Sequence, residues 1–328
     1  MPASVRSTDV PLFAALPAHF MPDGTRPGSP VRPCERKPGV LAISIGGLSS
    51  TFIDVILLIG YPSERGKVQM TMKLDQARLT AIRSRLIRMH YESGVGHIGG
   101  NLSSIDALSL LFNERMEEHD RFVLSKGHSA GALYAALWSA GRLSDEDLTT
   151  FHRDDTLLPG HPPARGIADI MFATGSLGHG LSLASGTALA FRFQRSRAHV
   201  YCLMSDGEWQ EGSSWEALIF ACHHRLNNLT VMIDHNGLQG FGRTGDIASM
   251  HPLFERLQGF EVDLHVIPGH DLDAMRTALD AASERLKVIV MQTVKGKGVS
   301  FMEDRMEWHY LPLKETEYQQ ALLELSNP

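Results

Sequence analysis

Cysteine is scarce in this chain. Among 328 residues only Cys34, Cys202 and Cys222 occur, with no paired spacing and no zinc-type repeat, which excludes a disulfide-stapled scaffold and a zinc ribbon. Cys202 and Cys222 fall in segments that read as buried, so the thiols are expected to be structural and the compartment cytoplasmic. Excess positive charge is missing too: the formal net charge is −6, which argues against nucleic acid as the main partner. No Gly-Lys-Ser/Thr follows a glycine-rich run, so Lys295-Gly296-Lys297-Gly298 is not a nucleotide loop. Long apolar runs are nearly absent. The one candidate, residues 38–61, is interrupted by Asp54, Gly46-Gly47 and Ser49-Ser50-Thr51, and it follows a Pro-, Ser- and Arg-rich stretch unlike a signal peptide's short basic start. No membrane span is expected there. Residues 1–70 lack the periodicity of the rest and read as an extension, either disordered or left by a start assigned too far upstream of Met70 or Met72.

What remains is ordinary globular material, 43% hydrophobic and 21% charged, long enough for one large domain over residues 71–328. Histidine is the exception. Sixteen occur, many beside glycine in loops, where packing alone gives little reason for them. Residues 74–93 carry apolar positions at helical spacing, with their arginines expected outward, and lead into a glycine loop over 93–103. Strands are expected at 121–125, 198–204, 229–233, 260–267 and 287–293, alternating with helices at 130–140, 144–151, 181–195, 215–226, 250–257 and 272–286. Such alternation predicts an α/β fold with a doubly wound parallel sheet.

The centre of the pattern is Ser205-Asp206-Gly207-Glu208-Trp209-Gln210-Glu211-Gly212, followed across one helix by Ile233-Asp234-His235-Asn236-Gly237-Leu238-Gln239. In a βαβ unit both strand ends fall on one sheet edge, so Asp206 and Asn236 converge although far apart in sequence. Asp-Gly or Asn-Gly alone is usually a turn. Placed at consecutive strand ends, an Asp, an Asn and one backbone carbonyl make an oxygen set that suits Mg²⁺ with a phosphate ligand. Gly207 leaves room for phosphate to approach the backbone.

This segment resembles the thiamine diphosphate motif of transketolases, Gly-Asp-Gly followed further on by Asn. Here Ser205 stands where that motif has its first glycine. The resemblance implies a thiamine diphosphate-binding domain in which Asp206, Asn236 and the carbonyl of Leu238 hold Mg²⁺ (or Ca²⁺ or Mn²⁺), with Gly207 and Asn236 also at the cofactor. Further segments are similar to transketolase motifs. Gly96-His97-Ile98-Gly99 implies a substrate-facing His97, Lys126-Gly127-His128 a diphosphate contact at His128, and Pro159-Gly160-His161-Pro162 a hydroxyl contact at His161. In Thr174-Gly175-Ser176-Leu177-Gly178-His179-Gly180 the implied cofactor contacts are Gly175 and Leu177. Trp308-His309-Tyr310 is similar to Trp-His-Gly, implying that His309 serves both cofactor and substrate, with Tyr310 replacing the glycine. His97, His161 and His309 are thereby the candidate catalytic residues. Glu211 and Glu216 correspond to glutamates at the family's subunit interface.

The implied activity is transfer of a two-carbon ketol unit from a ketose phosphate donor to an aldehyde acceptor. A full-length transketolase continues into a domain carrying the glutamate that activates the cofactor, so the expected partner is a separate C-terminal-type subunit in an α2β2 assembly. The alternatives are a thiamine-binding subunit of a 2-oxo acid dehydrogenase, a carrier-protein-directed two-carbon transfer system, or a non-catalytic cofactor-binding scaffold, the last favoured by Ser205 and Tyr310.

Overall fold

The computed structural model describes residues 73–326. The extension expected over 1–70, with its apolar run, lies outside the described residues. Helix α1 (Gln76–Ser93) starts at Asp75, whose side chain accepts from the Arg78 N–H, and ends at Gly94 in the left-handed region at φ 66°. Its apolar face buries Leu79, Ile82, Leu86 and Met89 as the spacing requires. The outward orientation expected for its arginines fails at Arg83. That guanidinium is buried, pairs with Asp106 at 2.6 Å and donates to the Lys297 carbonyl at 2.6 Å. A buried charge persists only where such acceptors surround it.

The glycine loop expected over 93–103 is shorter than that. Helix α2 (Ile98–Leu110) begins inside it, and every one of its residues is buried. Gly99 serves close packing here: a Cβ on it would lie 3.1 Å from Lys295 Cγ and 3.2 Å from the Trp308 carbonyl, whereas Gly100 lies in ordinary contact with the His128 ring. The remaining elements are β1 (Arg121–Leu124), α3 (Ala130–Ser139), α4 (Asp145–Leu148), α5 (Gly180–Phe193), β2 (Val200–Ser205), α6 (Gly212–His223), β3 (Leu229–His235), α7 (Thr244–Ile247), α8 (Leu253–Gln258), β4 (Val262–Pro268), α9 (Leu272–Asp280), β5 (Leu286–Gln292) and α10 (Glu315–Ser326). The capping box expected at Ser144 and Asp147 is present. Helix α9 stops earlier than the expected residue 286, because the Lys287 ammonium caps the carbonyls of Leu279 and Ala281 and β5 starts at Leu286.

All strand pairs are parallel, in the order β1-β2-β3-β5-β4. Strand alternation assigns neighbouring side chains to opposite faces. Phe122, Leu124, Leu203, Met232, Ile289 and Met291 join one core, with α1, α2, α3, α9 and α10. Val123, Cys202, Met204, Val231, Ile233, Val288 and Val290 join the other, with α5, α6 and α8. Each buried side chain of this kind contributes roughly 1.5–3 kcal/mol, so the sheet is anchored from both sides. The sheet is doubly wound, and the loops after β1, β2, β3 and β5 emerge along one edge. Among the described residues no helix is long and apolar enough to cross a membrane.

Candidate active site

Along that carboxyl edge the structure gathers the histidines that sequence motifs scattered over the chain. The His97 ring lies 5.1 Å from His309, 6.0 Å from His128 and 6.1 Å from His161, centre to centre, and His128 lies 5.6 Å from His309. Local structure explains the convergence. His97 sits at φ 65°, turning the chain into α2, and its N–H donates to the His309 carbonyl at 3.0 Å. Asn101, one helical turn on, donates from its amide to the carbonyls of both His97 and His128. Burial lowers the basicity of every ring in the group. Burial and then His161 and Lys295 depress His97, burial and then Lys126 put His128 well below its ordinary range, and burial and then Lys295 bring His309 to about 3. His161 is lowered by burial and by His152. Neutral imidazoles gathered this closely can each accept or donate a proton.

The Asp206 and Asn236 turns also meet. Asp206 accepts from the Gly237 N–H at 2.8 Å and from the Thr244 hydroxyl at 3.1 Å, which ties the end of β2 to the turn after β3. Asn236 accepts from the Leu238 N–H at 3.0 Å through Oδ1 and donates through Nδ2 to Asp234 at 3.2 Å. The Leu238 carbonyl accepts from Lys295 Nζ at 3.2 Å. Gly207 faces Gln239, whose side-chain nitrogen would lie 2.9 Å from a Cβ. Among the described residues no group of three or more His, Cys, Asp or Glu could hold a metal ion, so a metal here would rest on an amide and a carbonyl beside the one carboxylate.

Ser205 does not disturb the turn ahead of Asp206. It completes a capping box with Glu208, accepting from the Glu208 backbone while the Glu208 carboxylate accepts from the Ser205 N–H at 2.9 Å. Glu208 is fully buried and also accepts from the Ser125 hydroxyl and the Gly178 N–H, joining three strand-end loops. Gly178 is at φ 83°, and a Cβ there would meet Glu211 at 2.6 Å, so glycine is required. Gly175 lies against the His161 ring, and Leu177 is exposed beside it. Glu211 and Glu216 are both exposed in this chain, as are Ile219 and Phe220 of the same helix.

Sequence reasoning missed the polar floor of the site. Lys126 and Asp234 are both fully buried and paired, and Asp234 also accepts from Ser103, Ser104 and Thr293. Burial pushes Asp234 up, but Lys126 and the hydroxyls outweigh it and leave it low. Lys295, 2% exposed, has no carboxylate in its hydrogen-bonding shell; its Nζ contacts the carbonyls of Leu238 and Gln239 and lies 3.0 Å from His309 Nδ1. Burial, then Lys126, lower its pKa to about 8. His90 and His152 line the same cavity as His97, His128 and His161. Position at or just past a strand's carboxyl end was the signal for Lys126, Asp234 and Lys295; nothing local marked His90.

These features define an α/β protein whose ligand site lies at the carboxyl edge of a parallel sheet. Comparison with known proteins narrows the class. Residues 74–326 match the transketolase, thiamine diphosphate binding domain family, and the chain belongs to the transketolases, which are transferases. It is 35% identical over 264 residues to an apulose-4-phosphate transketolase subunit of Actinobacillus succinogenes, covering 77% of this chain and 96% of that one. To the 6-deoxy-6-sulfo-D-fructose transketolase subunit SqwG of a Clostridium species it is 37% identical over 262 residues, covering 76% and 95%. Human transketolase is 33% identical over 274 residues, with 77% of this chain covered but only 43% of the human one. The transketolase structure from Leishmania mexicana superimposes with a TM-score of 0.71 at 26% identity, over 78% of this chain and 42% of that chain. The chain thus has the extent of a separate transketolase subunit, and it spans about two fifths of that solved structure.

Proposed function

We propose that this chain is the diphosphate-binding half of a two-subunit transketolase that uses thiamine diphosphate and Mg²⁺ to move a two-carbon ketol unit from a ketose phosphate to an aldehyde. The carrying observation is electrostatic. Asp206 is a buried carboxylate with no cationic partner among the described residues, accepting only from Gly207, Gly237 and Thr244, and Lys295 is a buried ammonium whose contacts include no carboxylate; burial and Asp234 raise the first, burial and Lys126 lower the second. A cation at Asp206 and an anion at Lys295 would relieve both, and a metal–diphosphate pair supplies the two together.

Asp206, Asn236 and the Leu238 carbonyl would hold the metal, and His128, His309, Gly175, Leu177, Gly207 and Lys295 the cofactor. Thiamine diphosphate, when bound, supplies the electron sink for breaking the ketose carbon–carbon bond. The chain's own groups do the rest. His97, His161 and His309 hold or move protons at sugar hydroxyls, and their depressed basicity keeps them neutral at physiological pH. Buried Glu208 keeps the loops of Ser125, Ser205 and Gly178 in register.

A carboxylate to activate the cofactor is expected from a C-terminal-type subunit in an α2β2 assembly, reached across the exposed Glu211, Glu216, Ile219 and Phe220 face. Relatives named as transketolase subunits, matched over nearly their full length, support that arrangement. The unpaired thiols of buried Cys202 and half-buried Cys222 support a cytoplasmic setting. Purified chain with the partner subunit should cleave a donor ketose such as xylulose 5-phosphate in the presence of thiamine diphosphate and Mg²⁺, and the chain alone should not. Robust turnover without a partner would overturn the reading.

A further inference from the structure

Tyr310 follows His309 where the family motif has glycine, yet its backbone has no need of one, since φ is −121°. The side chain is therefore free to serve another purpose. Its ring packs on His309 at 4.7 Å and 66°. Its hydroxyl lies over Gly240, where an added Cβ would come within 2.2 Å of it and 3.2 Å of His309 Cδ2. Its carbonyl backs onto Gly96, where a Cβ would lie 2.3 Å away. Three loops meet at this residue: the one that carries His97, the one that follows Asn236 and Leu238, and the one that carries His309. Gly240 is the matching absence of a side chain that leaves room for the phenol hydroxyl.

Two observations turn this contact toward substrate. Tyr310 is 51% exposed while its ring packs on His309, and its hydroxyl has no hydrogen-bond partner among the described residues. The flanking residues Leu311 and Phe241 are apolar and exposed as well, at 48% and 86%, so the phenol stands in a bulky rim beside His309. We propose that Tyr310 is a specificity-determining residue that narrows the approach to His309 and His97, so that short aldehydes are admitted in preference to long ones. The inference rests on the ketol-transfer reading and names the acceptor class for it. A side chain that fills part of a substrate path discriminates by roughly 10- to 200-fold per displaced group.

The test compares glycolaldehyde and ribose 5-phosphate as acceptors for the chain assembled with its partner. In Tyr310→Gly the kcat/KM ratio of ribose 5-phosphate to glycolaldehyde should rise roughly tenfold or more, whereas Tyr310→Phe, which keeps the ring, should stay within about twofold of the parent. An unchanged ratio in Tyr310→Gly overturns the proposal while leaving the ketol-transfer reading intact. A parent complex inactive with both acceptors overturns that reading and the proposal with it. The packing is tested separately on the full chain. Gly240→Ala should lower the thermal midpoint, and the loss should largely vanish in combination with Tyr310→Gly. Equal losses in both backgrounds would show that the phenol does not lie over Gly240, and would overturn the proposal.

Discussion

Replacing Asp234 by asparagine removes the charge from the floor of the site while keeping the side-chain shape. The structure predicts a large cost. Lys126 and Asp234 are both without solvent exposure, and Lys126 reaches only Ser104 and the Gly100 carbonyl besides the carboxylate. Breaking a buried pair from one side costs about 3–5 kcal/mol because the remaining charge is stranded. The four other donors to Asp234, from Ser103, Ser104, Thr293 and Asn236, keep an acceptor at one oxygen and lose it at the amide nitrogen, so a further ~1 kcal/mol is expected. Against a stability of about 5–15 kcal/mol this is large but survivable. Urea denaturation of Asp234→Asn should show the loss, and adding Lys126→Met should restore at least half of it, since the stranded ammonium is then gone. The same variant weakens the hydrogen bond that the Asn236 amide donates, since a neutral amide oxygen replaces the carboxylate, so Mg²⁺-dependent thiamine diphosphate affinity of the assembled complex should fall even in the stabilised double variant. A single variant within about 1 kcal/mol of the parent would refute the reasoning.

Asp206→Ala should abolish Mg²⁺-dependent cofactor binding by the assembled complex in a calorimetric titration, because it removes the one carboxylate of the proposed metal set; unchanged affinity would sink that assignment. Stability should fall as pH drops below 6.5. His90 and His199 are both brought to about 4, chiefly by burial, and both stay neutral in the fold while the unfolded chain protonates near 6.5. Their contribution is therefore complete above 6.5 and lost as pH falls toward 4, at about 2 kcal/mol for each ring by pH 5; a urea midpoint independent of pH between 6.5 and 5 would contradict the burial of these rings. Finally, we expect a chain beginning at Met72 to match the full chain in activity with the partner. A loss of folding or activity would give residues 1–71 a role that their composition does not suggest.

Much of this protein was legible before any fold was known. Apolar spacing alternates between strand and helix periods from residue 74 onward, and that alternation is a property of neighbours along the chain, so it determined the parallel α/β class. Asp206, Asn236 and the loop histidines were legible for the same local reason, since they sit at strand ends and beside glycines. Other features exist only through tertiary structure. That β5 lies between β3 and β4, and so brings Lys295 against the Leu238 carbonyl, follows from long-range pairing that no window of sequence contains. Gly99 and Gly100 looked like a loop and belong to a fully buried helix, and at Gly99 the demand for a small residue comes from Lys295 and Trp308 pressing on it. Arg83, Lys126, Asp234 and Glu208 are ordinary charges in the sequence. Their partners, Asp106, Ser103, Ser125 and Gly178 among them, lie on other elements, and a charge can be buried only where the whole fold assembles acceptors and donors around it.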